Sequence, residues 1–115
     1  MKKITILLIS IFMLTACGNA YRTIASNEAM SLIDNGAIII DVRTADEYNE
    51  SHIANAINIP VDNINEVTYD KNTKIIVYCA SGVRSANAAK ALVDAGYTNI
   101  YNLDGGLINW GFGTE

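Results

Sequence analysis

The stretch KIIVYCASGVRS, Lys74 to Ser85, decides how the chain is read. Its first part, Ile75-Ile76-Val77-Tyr78, is apolar and rich in β-branched residues with no polar alternation, the pattern of a strand buried on both faces. Beyond it lies a small-residue stretch, Ala86-Asn87-Ala88-Ala89-Lys90-Ala91-Leu92, with Gly96 as a stop signal. The spacing predicts a strand over Lys74–Tyr78 and a helix over Ser85–Ala95. Cys79 to Arg84 then forms a tight strand-to-helix loop, with Gly82 allowing the turn.

Working outward, the same alternation recurs. Ser26 is positioned to cap a helix through Glu28, Ala29, Met30, Leu32 and Ile33, stopped by Asn35-Gly36. Ala37-Ile38-Ile39-Ile40-Asp41-Val42 predicts a second doubly buried strand. Thr44-Ala45-Asp46-Glu47 matches a capping box, so a short helix should start at Thr44 and carry Tyr48 inward. Ala56 to Ile59 predicts a brief strand closed by Pro60, and Asn99 to Leu103 a last one, followed by the Asp104-Gly105-Gly106 turn. Tyr48, Tyr97 and Trp110 are expected in the core. Strands alternating with helices imply an α/β fold of three layers, a mainly parallel central sheet with helices on both faces. Such sheets bind ligands beyond the carboxyl ends of their strands, where Cys79 falls.

The loop has a definite chemistry. Its N–H groups and the helix N-terminus converge on one spot, a cradle for negative charge that holds the Cys79 sulfur. An unperturbed thiol is only ~3% ionised at pH 7, and the cradle dipoles together with Arg84 favour the thiolate. The planar fork of Arg84 is suited to hold an incoming oxyanion.

The 115-residue chain is half hydrophobic, has one proline and no internal repeat, and suits one compact domain. Its start differs from the rest. Met1-Lys2-Lys3 is a basic segment, and Ile4 to Leu14 carries no charge, as in a secretory signal. These eleven residues fall well short of the roughly 20 needed to span a bilayer. Leu14-Thr15-Ala16-Cys17 resembles the bacterial lipobox, which implies a signal over 1–16, lipidation of Cys17, a tether through Arg22 and a domain over 23–115. The protein would then be extracytoplasmic and held to the membrane by its acyl chains. Loss of Lys2 and Lys3 leaves six basic residues against twelve acidic ones, a formal charge of −6 that argues against nucleic acid or anionic headgroups as partners. With Cys17 lipidated, Cys79 is the sole thiol and cannot form an internal disulfide.

CASGVRS resembles the rhodanese active-site pattern C-x-x-G-x-R-S/T. The surrounding blocks resemble that family in the same order: Asp41-Val42-Arg43 with Glu47-Tyr48, His52-Ile53 with Ala56-Ile57-Asn58-Ile59-Pro60, and Leu103-Asp104-Gly105-Gly106 with Trp110. The chain is thereby similar to single-domain rhodanese sulfurtransferases of the periplasmic thiosulfate type. The resemblance implies that Cys79 attacks the outer sulfur of a small anionic donor such as thiosulfate and keeps it as a persulfide. It places that sulfur among Ala80, Ser81, Gly82, Val83, Arg84 and Ser85, then passes it to a thiophilic acceptor such as cyanide or a thiol. No metal or organic cofactor is implied. Ser51 and Asn55 stand where the family has glycine, so altered local geometry is expected there.

Other roles are weighed on the same residues. Phosphatases and arsenate reductases with a cysteine-arginine loop need five residues between the two; Ala80-Ser81-Gly82-Val83 supplies four, a ring suited to a sulfur atom. A non-catalytic anion-binding module would be expected to lose the cysteine or its loop, and both are intact; a sulfur-carrier role stays open. Asp41 and Arg43 could belong to the site, because the strand before them can end beside the cysteine loop; the favoured reading is an ion pair or contacts of the helix start with Thr44 and Glu47. His52 is read as structural, because attack by a preformed thiolate needs no general base. The carboxylates have no paired-ligand spacing, so no metal site is expected.

Overall fold

In the computed structural model, residues 20–115 are described; the predicted signal over 1–16 and Cys17 lie outside the described residues. Strands β1 (Arg22–Ile24), β2 (Ile38–Asp41), β3 (Ile57–Asn58), β4 (Lys74–Tyr78) and β5 (Asn99–Leu103) form a sheet in the order β1-β5-β4-β2-β3. Every pairing is parallel. Helices α1 (Ser26–Asp34) and α2 (Ala45–Glu50) cover one face and α3 (Val83–Asp94) the other, which is the expected three-layer α/β fold.

β4 lies at the centre because it can bury both faces. Ile75 and Val77 pack with Ala88, Ala89 and Leu92 of α3, while Ile76 and Tyr78 pack with Ala29, Ile53 and Trp110 on the opposite side. Each of these aliphatic β4 side chains is fully buried, contributing about 1.5–3 kcal/mol. The rows continue sideways, with Ile39 beside Ile76 and Ile76 beside Tyr101. Tyr97 and Trp110 are buried and Tyr48 is half-buried, as expected for core aromatics.

Several boundaries differ from expectation. Ala25, not Ser26, is the N-cap of α1; Ser26 lies inside the helix and its hydroxyl faces the Asn109 carbonyl at 3.4 Å. α3 starts at Val83, two residues before the predicted Ser85, because Gly82 takes the N-cap with φ 111°. β1 begins at Arg22, within the expected tether, and Tyr21 packs against the α3-side core. Pro60 leads into a 3₁₀ turn, Val61–Glu66, which buries Ile64. Asn55 takes the left-handed φ of 71° that an asparagine tolerates, whereas Ser51 is extended at φ −168° and needs no glycine.

The capping box at Thr44 forms as predicted. Its hydroxyl accepts the Glu47 N–H at 3.2 Å, and Glu47 Oε1 accepts the Thr44 N–H at 3.0 Å. Ahead of it, Asp41 and Arg43 make a buried ion pair of 2.7 Å, the first of the two arrangements expected of them. Tyr78 extends the network: its hydroxyl donates to Asp41 Oδ2 at 2.7 Å and accepts the Ile53 N–H at 3.0 Å. Arg43 also donates to the Ser51 carbonyl, so the chain on both sides of α2 is fixed to the sheet. Burial, aided by the hydrogen bond to Asp41, pushes the Tyr78 phenol well above its ordinary range and keeps it protonated as a donor.

Among the described residues, every buried side-chain nitrogen and oxygen has a partner. Removing one member of such a pair strands the other charge, so Arg43→Met is expected to lower stability by about 3–5 kcal/mol. Tyr78→Phe is expected to cost about 1–3 kcal/mol by stranding the Ile53 N–H. Urea denaturation of both variants tests the ranking, and a neutral Arg43→Met would remove the network as a structural anchor.

Candidate active site

Cys79 follows the last residue of β4 and is 1% exposed. The helix beyond it has no side-chain cap at Gly82, and its first-turn N–H groups have no carbonyl four residues back within the helix. The sulfur takes the place of the missing cap. Cys79 Sγ accepts the Gly82 N–H at 3.1 Å and the Ser85 N–H at 3.4 Å, with the Ser85 hydroxyl also at 3.4 Å. Burial pushes the thiol pKa up, but hydrogen bonds from the Ser85 hydroxyl and the N–H groups of Ser85, Gly82 and Ser81 outweigh it and lower the pKa. The cradle is therefore built chiefly from neutral dipoles.

Ser85 is itself held. Its Oγ lies 2.5 Å from Asn102 Oδ1, and Asn102 Nδ2 donates to the Gly82 carbonyl at 3.3 Å. A hydroxyl has one proton, so Cys79 Sγ and Asn102 Oδ1 compete for it. Asn102 was not among the candidates. Its signal was a polar side chain inside the short final strand, where it is buried beside Val77.

Gly106 completes the loop. Its φ is +57°, and a Cβ there would stand 2.4 Å from the Cys79 carbonyl oxygen and 2.7 Å from Ala80 backbone atoms. That close approach lets Leu107 N–H reach the Cys79 carbonyl at 2.9 Å and Ile108 N–H reach the Ala80 carbonyl at 3.1 Å. The turn after β5 thus fastens the cysteine loop from one side.

Arg84 is placed differently from the expected anion fork. Its Nη1 and Nη2 donate to Glu47 Oε1 and Oε2 at 2.7 and 3.0 Å, and neither hydrogen-bonds the sulfur. Glu47 also serves the α2 capping box, so one carboxylate joins the start of α2 to the start of α3. Hydrogen bonding from Arg84, then from the Thr44 N–H, lowers the Glu47 pKa to about 2. Val83 and Ser81 are exposed and Ala80 half-buried, and the N–H groups of Ser81, Gly82 and Ser85 supply the backbone contacts of the loop to the Cys79 sulfur. His52 stacks on Tyr48 with ring centroids 3.7 Å apart, and its Nδ1 meets the Tyr48 carbonyl, consistent with a structural role.

Residues 25–111 match the rhodanese-like domain family. The chain belongs to that family. It is 38% identical over 93 residues to the thiosulfate sulfurtransferase GlpE of Coxiella burnetii, covering 78% of this chain and 87% of that protein. It is also 34% identical to a tRNA uridine(34) hydroxylase of Erwinia tasmaniensis, over 79% of this chain but only 28% of that longer protein. Among solved structures, a rhodanese-related protein from Thermoplasma volcanium superposes with a TM-score of 0.73 at 32% identity, covering 83% of this chain and 98% of the other. A rhodanese-like domain protein from Staphylococcus aureus gives 0.71 at 33% identity, with coverages of 82% and 96%. Proteins with different printed activities thus share this domain fold, and the fold alone does not decide which chemistry the Cys79 loop supports.

The ultraviolet absorbance of the thiolate, taken as wild type minus Cys79→Ser across a pH titration, is expected to rise below the ordinary thiol range. Ser85→Ala removes a donor to the charged form and should move the midpoint upward. An unmoved midpoint would show that the backbone N–H groups alone set the ionisation.

Proposed function

We propose that this rhodanese-like domain is a sulfurtransferase in which Cys79 carries sulfur as a persulfide. The observation that carries the proposal is the sulfur in the capping position of α3, where fixed N–H dipoles favour its ionised form. A thiolate there is a nucleophile without an adjacent base. Val83 and Arg84 have N–H groups in the same first turn, available to a second sulfur bonded to the first. The four-residue spacing to Arg84 favours this over phosphoryl chemistry, and likeness to the thiosulfate sulfurtransferase of Coxiella burnetii supports thiosulfate as a donor to try first.

Incubation with thiosulfate, removal of excess donor and intact-mass measurement should show a gain of one sulfur atom. The gain should vanish on reduction and be absent in Cys79→Ser. A gain that survives in that variant would overturn the assignment.

We also propose that the domain works outside the cytoplasm, anchored through Cys17; the support is Leu14-Thr15-Ala16-Cys17 after an uncharged leader. Expressed in bacteria, the protein should sediment with membranes and the Cys17→Ser variant should not. Equal sedimentation of the two would exclude the anchor.

A further inference from the structure

Arg84 turns its Nη1–Nη2 edge to Glu47 in a bidentate pair, and this bears on which sulfur donor the site accepts. The other described cations give little help at the mouth. Arg43 is buried against Asp41, and Arg22 and Lys74 begin their strands at the opposite end of the sheet. Lys71 lies over the Tyr97 ring, and Lys90 sits further along α3 paired with Asp94. Arg84 is thus the one cation of the described residues adjoining the sulfur loop that is not buried, and it is neutralised.

The loop amides and the cation are suited to different parts of a donor. The amides converge on the sulfur position; a sulfonate group behind the transferred sulfur would lie outside that cradle and would need a positive charge at the rim. Thiosulfate brings two negative charges to this rim. A persulfide or an organic thiosulfonate brings one. Glu47 is held ionised at any pH well above about 2, so the pair does not open by protonation under ordinary conditions. The carboxylate is also fixed from behind by the Thr44 N–H and hydroxyl, which hold it in the position that engages Arg84.

We infer that Glu47 determines the charge class of the sulfur donor, disfavouring dianionic thiosulfate relative to donors with a singly charged sulfane sulfur group. This rests on the sulfurtransferase proposal and deepens it. In the transfer step the Cys79 thiolate attacks the terminal sulfur, a Cys79 S–S bond forms, and the bond from that sulfur to the donor breaks. The electron pair leaves with the donor fragment: sulfite from thiosulfate, methanesulfinate from methanethiosulfonate. No external oxidant or reductant enters, and the charge balances in both cases.

Thiosulfate and methanethiosulfonate make the test, because they differ chiefly by a charged oxygen against a methyl group. With cyanide as acceptor, kcat/KM for each donor is measured on the full chain and on Glu47→Gln, which can keep the capping box through its amide oxygen. The ratio of thiosulfate to methanethiosulfonate is expected to rise about three- to tenfold in Glu47→Gln, the size of a half-exposed ion pair released to act on substrate. Adding Arg84→Gln should return the ratio toward the starting value. An unchanged ratio in Glu47→Gln, with both donors active, would overturn the inference while leaving sulfur transfer intact. A gain that persists without Arg84 would overturn it too. No Cys79 persulfide from either donor would overturn the sulfurtransferase proposal, and the inference with it.

Discussion

A helix that begins without a capping side chain must satisfy its first N–H groups elsewhere, and in this protein Cys79 Sγ takes that part. A thiolate is a far better acceptor than a thiol, so the start of α3 and the ionisation of Cys79 depend on each other. The hydrogen bonds that order the helix are the ones that activate the sulfur. Asn102 tightens this coupling from the neighbouring strand by holding Ser85 and the carbonyl of Gly82, two of the residues whose N–H groups meet the sulfur.

The cradle works only if its frame is rigid, and two devices make it so. β4 is buried on both faces, leaving the strand no freedom to slide in register and delivering Cys79 at a fixed height. Gly106 then lets the chain after β5 approach the loop backbone closely enough for two hydrogen bonds to carbonyls of Cys79 and Ala80. On the other side, the Asp41–Arg43–Tyr78 network fixes where α2 begins, and α2 presents Glu47 to Arg84. Residues with no contact to the sulfur thereby decide what stands beside it.

What could be read from the residues followed the range of the interactions involved. β4 and β5 have the predicted ends, because β-branched or apolar runs bounded by polar residues are local signals. The Thr44 capping box is equally local. The sequence pattern puts the start of α3 two residues late because Gly82 lacks the side chain that usually marks an N-cap; the actual cap lies three residues earlier in the sequence and is a sulfur. β1 is three residues long and exposes two of them, too little pattern to register. The union of Arg84 with Glu47, 37 positions apart, is set by tertiary packing that no local motif encodes. Cys79, Gly82 and Ser85 could be named in advance; the partner of Arg84 and the place of Asn102 could not.

An acidic side chain close to an anion-handling loop looks self-defeating until charge and dipoles are separated. Backbone N–H groups stabilise the sulfur anion at short range without adding net charge, and they act alike on any sulfur seated there. A free arginine would act differently: at about 4 Å and an effective dielectric near 20, each additional negative charge on a donor gains about 4 kcal/mol before solvent screening reduces it. It would therefore rank donors by charge rather than by the reactivity of their sulfur. Pairing Arg84 with Glu47 cancels most of that ranking while keeping the guanidinium as a fixed strut between α2 and α3. In the proposed sulfurtransferase, the cradle would keep its power over sulfur, and the choice among donors would pass to the groups that carry it.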